Sequence, residues 1–205
     1  MKDYQIGSGQ LSLSVIKNII EEKKQLTLSS LAIERIIKCR KYLDDKLSTN
    51  EDPIYGINTG FGYLQNVKVE SENLTQLQHN LLLSHACGTG QEVPKEIVKL
   101  MLLLKIQSLS YGHSAIALTT VQRLVDFYNH DILPVIYTQG SLGASGDLAP
   151  LAHLALPLIG EGEVWYKDQK ISCAELNKNL NWKPLTLQSK EGLALINGTQ
   201  FMSAY

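Results

Sequence analysis

Lys95 to Leu109 is apolar on nearly every side. Ile97, Val98, Leu100, Met101, Leu102, Leu103, Leu104, Ile106 and Leu109 leave no polar stripe wide enough to face water. Pro94 suits the first position of such a helix, and Gly112 ends it. A helix with no wetted side belongs in the middle of a bundle or at a subunit interface, so the chain is expected to be mainly α. The other helical segments are amphipathic. Val15, Ile16, Ile19 and Ile20 form a stripe from about Ser14, and Ser29-Ser30 caps a helix carrying Ile33, Ile36, Ile37 and Leu47. Ser71-Glu72 opens a helix with Leu74, Leu77, Leu81 and His85 on one face, ended by Gly88 and Gly90. Val121, Leu124, Val125 and Tyr128 face inward from a helix over Ser114 to Asn129. Leu148 to Ile159 reads as helix, with Pro150 tolerated in its first turn and a bend or end at Pro157. A short helix follows at Ala174 to Leu180, and a last one runs from near Ser189 toward Tyr205, placing Asn197 inside it. Tyr4 to Leu13 and Asp131 to Gln139 read as extended, and Gly162 to Ser172 around Lys167-Asp168-Gln169 is the best hairpin. The expected fold is therefore a helical bundle with a small β element.

Composition narrows the function classes. With 205 residues, 44% of them hydrophobic, the chain can bury a sizeable core in one or two domains. Residues 1–110 and 111–205 are the expected division. A net charge of −1 gives no basic footprint for nucleic acid. Cys39, Cys87 and Cys173 are odd in number and far apart, which fits neither a disulfide framework nor a zinc site and suits a reducing, cytoplasmic setting. No apolar signal region follows Met1, and the run near Met101 to Ile106 is too short to span a bilayer. Neither a membrane nor a metal is expected.

Gly140 to Pro150 (GSLGASGDLAP) is the stretch that carries chemistry. It lacks the lysine of a phosphate loop. It places its second glycine one position too early for a hydrolase nucleophile elbow. Its bland reading is a glycine-rich turn capping a helix through Asp147 or Ser145. Ala144-Ser145-Gly146 also has what a chain needs to react with itself. The unhindered Gly146 nitrogen can attack the Ala144 carbonyl, whose oxygen leaves as one water, and the Ser145 hydroxyl can leave as a second. The product is a methylidene-imidazolone, an electrophile that no ordinary side chain supplies.

Four blocks together resemble the aromatic amino acid ammonia-lyase family. They are Gly140 to Ala155 (GSLGASGDLAPLAHLA), Tyr55 to Gly62 (YGINTGFG), Ser84 to Gly88 (SHACG) and Gly192 to Gln200 (GLALINGTQ). They fall in the family's order and cover nearly the whole chain. The resemblance implies an aspartase/fumarase-like helical fold and the 4-methylidene-imidazol-5-one formed autocatalytically from Ala144, Ser145 and Gly146, with no external cofactor. It implies Tyr55 as the base that takes the substrate β-proton, although a phenol needs tuning from a pKa of about 10 to do so. His85 and Asn197 are implied as substrate-binding residues, with Phe61 and Gly62 shaping the pocket wall, while His153 reads as structural. Ser84-His85 resembles the histidine-acting members, where other members carry Phe-Leu or His-Leu. A histidine there can pair a buried substrate imidazole and so reject analogues lacking one.

The expected reaction is non-oxidative elimination of ammonia from L-histidine to give trans-urocanate. The family's carboxylate-binding arginine, second tyrosine and late glutamate lie beyond position 205, and its sites are shared among subunits of a homotetramer. The chain therefore reads as an N-terminal fragment, inactive alone, with the Lys95–Leu109 surface left exposed. Three alternatives are open at this point: a phenylalanine or tyrosine ammonia-lyase or aminomutase with the same electrophile, a serine hydrolase using Ser145, and a non-catalytic helical module.

Overall fold

A computed structural model describes residues 3–49, 52–141 and 146–205. The all-apolar segment forms helix α4 (Lys95–Ser110), and it is central. Val98, Met101, Leu102, Leu103, Ile106 and Leu109 are all buried within this one chain. The expectation that this surface is left exposed is thus corrected. Pro94 is the N-cap of α4 rather than its first helical residue. Packed around α4 are helices α2 (Ser30–Thr49), α5 (Leu118–Asn129) and α9 (Gln200–Ala204). One hydrophobic cluster runs from Ile6 through α4 and α5 to Ala204.

The local reasons follow the residues. Ser12 accepts from Val15 N and starts α1 (Leu13–Glu21), and Ser29 Oγ accepts from Ala32 N at 3.1 Å to cap α2. Strand β1 (Tyr4–Ile6) pairs in parallel with β2 (Leu26–Leu28). Asn129, at the end of α5, completes that edge: its Oδ1 accepts from Leu26 N at 2.7 Å and its Nδ2 donates to Leu26 O at 2.9 Å. Helix α5 begins at Leu118, not Ser114. Its first turn is capped from outside by Glu191, whose buried carboxylate accepts from Ala117 N at 3.0 Å and Thr120 Oγ1 at 2.7 Å. An anion at a helix N-terminus is favoured by the dipole there.

Among the described residues, extended structure is spread over three small sheets rather than one element. Strand β3 (Thr89–Glu92) lies antiparallel to β5 (Tyr137–Gln139). Strand β4 (Leu133–Pro134) joins the expected hairpin of β6 (Glu163–Tyr166) and β7 (Gln169–Ser172). Its two-residue turn, Lys167-Asp168, has positive φ at both positions, as a tight hairpin with right-handed strand twist requires. Helix α6 (Leu148–Ala155) passes into a 3₁₀ turn at Leu156–Ile159, so Pro157 ends the α geometry as expected. A short helix α7 (Cys173–Leu180) follows the hairpin.

Helix α8 (Glu191–Ile196) packs against α3 (Leu74–His85) and α6. The close approach to α3 is made at a glycine. Gly192 N donates to the fully buried Gln78 Oε1 at 3.0 Å, and a Cβ on Gly192 would meet that oxygen at 3.0 Å and Leu81 Cδ2 at 3.2 Å. Arg40 fastens the approach to α8. Its buried guanidinium donates to Ala115 O and Ser189 O, each at 2.9 Å, and pairs with Asp44.

Two outcomes follow for the folded chain. Gly192→Ala is expected to cost about 1–3 kcal/mol through overpacking against Gln78. A denaturant titration reads this as a lower midpoint at unchanged slope; an unchanged midpoint would mean that α8 retreats freely. The second outcome concerns pH. Burial pushes Lys105 of α4 down to about 7, and Lys190 moves in the same direction. The unfolded chain then binds more protons than the folded one between pH 7 and about 9, so stability rises with pH there, by at most about 1.4 kcal/mol per unit for one group. Above that range burial opposes the rise, because it holds Cys173 and Tyr128 up near about 12. The folded chain then keeps protons that the unfolded chain has lost. Denaturant midpoints measured from pH 6.5 to 9 should climb, and Lys105→Met should remove most of the climb. A flat profile contradicts the burial of this amine.

Candidate active site

The residues singled out in the sequence sit on segments that meet at α8. Helix α3 carries His85 in its last turn and touches α8 through Gln78 and Gly192. The Tyr55 loop reaches α8 from another side: Gly56, at φ +71°, lies where a Cβ would come within 2.6 Å of Leu193 Cδ2. That loop is built by its own polar groups. Buried Asn58 accepts from Ile54 N at 2.6 Å and donates to Asp52 O at 3.0 Å, and its main-chain carbonyl accepts from Val69 N at 2.8 Å. Fully buried Thr59 donates to Gly60 O at 2.9 Å.

Past Ile196 the chain does not continue as helix. Asn197 has extended backbone, with ψ 127°, and α9 starts only at Gln200. The expected mid-helix asparagine is therefore at a break between two short helices. The cause is local. Gly198 takes φ +144°, a conformation that glycine alone adopts without strain. Its carbonyl accepts from Asp147 N at 2.8 Å, and Gly198 and Gly146 form a parallel bridge. A Cβ on Gly146 would overlap the Gly198 carbonyl, so only a residue without a side chain permits this approach. Asp147 secures the far side by accepting from Met202 N at 3.0 Å. That bond replaces the expected cap, since the Asp147 side chain does not bond its own helix. Leu142, Gly143, Ala144 and Ser145 lie outside the described residues, and with them the Ser145 capping alternative and two members of the reactive triplet. Gly146, the third member, is the pinned end.

A second contact joins the entry of the same loop to the segment after His85. Gly140, at φ +132°, places its missing Cβ 2.9 Å from Gly88 Cα. His153 Nε2 accepts from Gly88 N at 3.0 Å, and its ring stands edge-on to Tyr137 at 5.2 Å between centroids. Burial holds the His153 pKa below its ordinary value, which favours the neutral ring that accepts this bond.

Among the described residues, the Tyr55, His85 and Asn197 side chains make no hydrogen bond to one another. Tyr55 is 58% exposed, stands edge-on to Phe61 at 6.1 Å, and its hydroxyl makes no hydrogen bond to the described residues. Asn197 is exposed. His85 is half-buried, and its Nδ1 lies 2.9 Å from Leu81 O and 3.1 Å from Ser84 Oγ. A carbonyl only accepts, so the bond to Leu81 requires a proton on Nδ1, and neutral His85 then carries a free lone pair on Nε2. Sequence reasoning missed Lys105, whose buried Nζ donates to Asn197 O at 2.9 Å, whereas the structural reading of His153 agrees with its bond to Gly88 N. A lysine amid the most apolar part of α4, Leu100 to Ile106, was the signal for Lys105, while the bond of His153 joins partners 65 positions apart.

Residues 11–205 match the aromatic amino acid lyase family. A histidine ammonia-lyase of Deinococcus radiodurans is 48% identical over 194 residues, 95% of this chain and 37% of that protein. One from Staphylococcus aureus strain MRSA252 is 45% identical over 194 residues, 95% of this chain and 38% of that protein. Among solved structures, histidine ammonia-lyase from Trypanosoma cruzi superposes with a TM-score of 0.84 at 36% identity, covering 95% of this chain and 38% of that one. Ergothionase from Treponema denticola superposes at 0.92 with 28% identity, covering 99% and 40%. The chain thus spans about two-fifths of the length of these relatives. A mainly helical architecture shared with solved relatives and a match over residues 11–205 place the chain in the aromatic amino acid lyase family.

Proposed function

We propose that the whole protein is a cytoplasmic histidine ammonia-lyase, eliminating ammonia from L-histidine to give trans-urocanate. The observation that carries the proposal is the convergence of the Tyr55, His85 and Gly146 segments on α8, the helix that ends at Asn197. The similarity to histidine ammonia-lyases at 45–48% identity supports the choice of substrate.

The electrophile is proposed to arise from Ala144, Ser145 and Gly146. The described end of that triplet fits the group: Gly146 sits where any side chain would collide with Gly198, and Asp147 N is already committed to the Gly198 carbonyl. Once formed, the methylidene-imidazolone supplies an electrophilic carbon that makes the substrate amine a competent leaving group. The remaining work falls to this chain's side chains. Tyr55, with an unencumbered hydroxyl, takes the β-proton, a role typically worth about 10²–10⁴-fold. His85 Nε2 accepts from the substrate imidazole N–H and orients the ring. The Asn197 amide holds the amino group near the loop. The exposure of Tyr55 and Asn197 here fits a site closed by other segments of the protein and by neighbouring subunits of a homotetramer. Closure would exclude water and strengthen each of these polar contacts.

Intact mass of the full-length protein tests the proposal. Cyclisation with loss of two waters lowers the mass by about 36 Da, and the resulting group is the covalent catalyst. Ser145→Ala should restore the uncyclised mass and remove urocanate formation. Tyr55→Phe should keep the mass deficit while turnover falls by at least about 10²-fold. An unaltered wild-type mass, or full turnover in Ser145→Ala, contradicts the proposal. Elimination from phenylalanine or tyrosine in preference to histidine contradicts the role of His85.

A further inference from the structure

Lys105 is the anomaly of α4. It is 1% exposed in the middle of the apolar core helix, where lysine is almost never found unless paired. Among the described residues its amine donates to one group, the Asn197 carbonyl, at 2.9 Å. No carboxylate among the described residues forms an ion pair with it. Burying an amine for a single neutral acceptor is unfavourable compared with a leucine in the same place. The bond it makes therefore needs a reason beyond core packing.

The acceptor supplies one. Asn197 N–H still belongs to α8, donating to Leu193 O at 3.0 Å. Its carbonyl is the orphan acceptor at the helix end, because Gly198 turns the chain away. An N–H donor is what such a carbonyl needs. The next carbonyl, that of Gly198, is taken by Asp147 N. The Asn197 backbone is thus held at both ends, by Leu193 and by Lys105, and only its side chain is left free and exposed.

We infer that Lys105 is a positioning residue of the active site, fixing the Asn197 peptide so that the Asn197 amide is presented beside the Gly146 loop. The inference rests on the ammonia-lyase reading above and adds a residue to it. Lys105 touches no substrate; it acts through Asn197.

A double-mutant cycle in the full-length protein tests this, using K105M, N197A and the pair, with turnover of L-histidine and intact mass as readouts. K105M should keep the mass deficit and lower kcat by about 10-fold, the upper end expected for losing one hydrogen bond. In the N197A background the same change should alter kcat by less than about threefold, because residues acting as a unit are not additive. K105R, which keeps a cation and donors, should recover most of the lost turnover. Should K105M not fold, K105Q, which keeps a donor at shorter reach, runs the same cycle. Additive losses from K105M and N197A, or wild-type kcat in K105M, overturn the inference while leaving the ammonia-lyase reading standing. Wild-type kcat in N197A removes that reading's assignment of Asn197, and the inference with it.

Discussion

The structure turns on one hydrogen bond, Asp147 N–H to the carbonyl of Gly198, 2.8 Å long and made between two segments that are fifty positions apart. It forms only because glycine occupies both sides of the seam. Gly198 adopts a φ of +144° and Gly146 presents no Cβ to the opposing carbonyl. Three consequences share this contact. α8 stops at Asn197, α9 restarts at Gln200 with Asp147 accepting from Met202 N, and the loop that ends at Gly146 acquires a fixed exit. A larger residue at Gly146 would push the two backbones apart, and one at Gly198 would be strained at φ +144° and collide with the Gln200 side chain.

Around that seam lies a set of buried polar groups that an ordinary apolar core would not contain. Arg40, Gln78, Lys105 and Glu191 are each at most 8% exposed, and each directs its donors or acceptors at main-chain groups flanking α8. Each is expensive to bury and tolerable only when bonded. Directional bonds specify a position where apolar contacts specify only proximity. α8 is six residues long, too short to be stable by its own propensity. Its placement is instead dictated by what grips it at both ends. This is the preorganisation that an active site needs, because catalytic groups work only within narrow limits of distance and angle.

Much of the fold was legible in the sequence, for a local reason. The all-apolar segment could only be central, and the Lys167-Asp168 turn and the Pro157 break are decided by residues a few positions apart. What the sequence hid depends on distant partners. The parallel pairing of β1 with β2 is completed by Asn129, about a hundred positions away, and the β3–β5 pairing crosses the whole of α4 and α5. The break at Asn197 looked like continuous helix because a glycine inside a helical pattern carries no sign of the carbonyl waiting opposite it. The proposed site residues were read from their motifs. How they are held was not, since Lys105 and His153 act on main-chain atoms and belong to no block of chemically reactive residues.

The most direct test of the seam is amide hydrogen exchange resolved at Asp147, Gly192 and Gly88, three N–H groups whose acceptors are Gly198 O, Gln78 Oε1 and His153 Nε2. All three should exchange at least about 10³-fold more slowly than an unstructured chain, opening only with the surrounding core. Replacing Gly198 by alanine should release Asp147 while leaving Gly192 and Gly88 protected. Exchange of Asp147 at the unstructured rate in the unaltered protein would mean that the loop is not docked on Gly198, and the proposed arrangement of the site would fall with it.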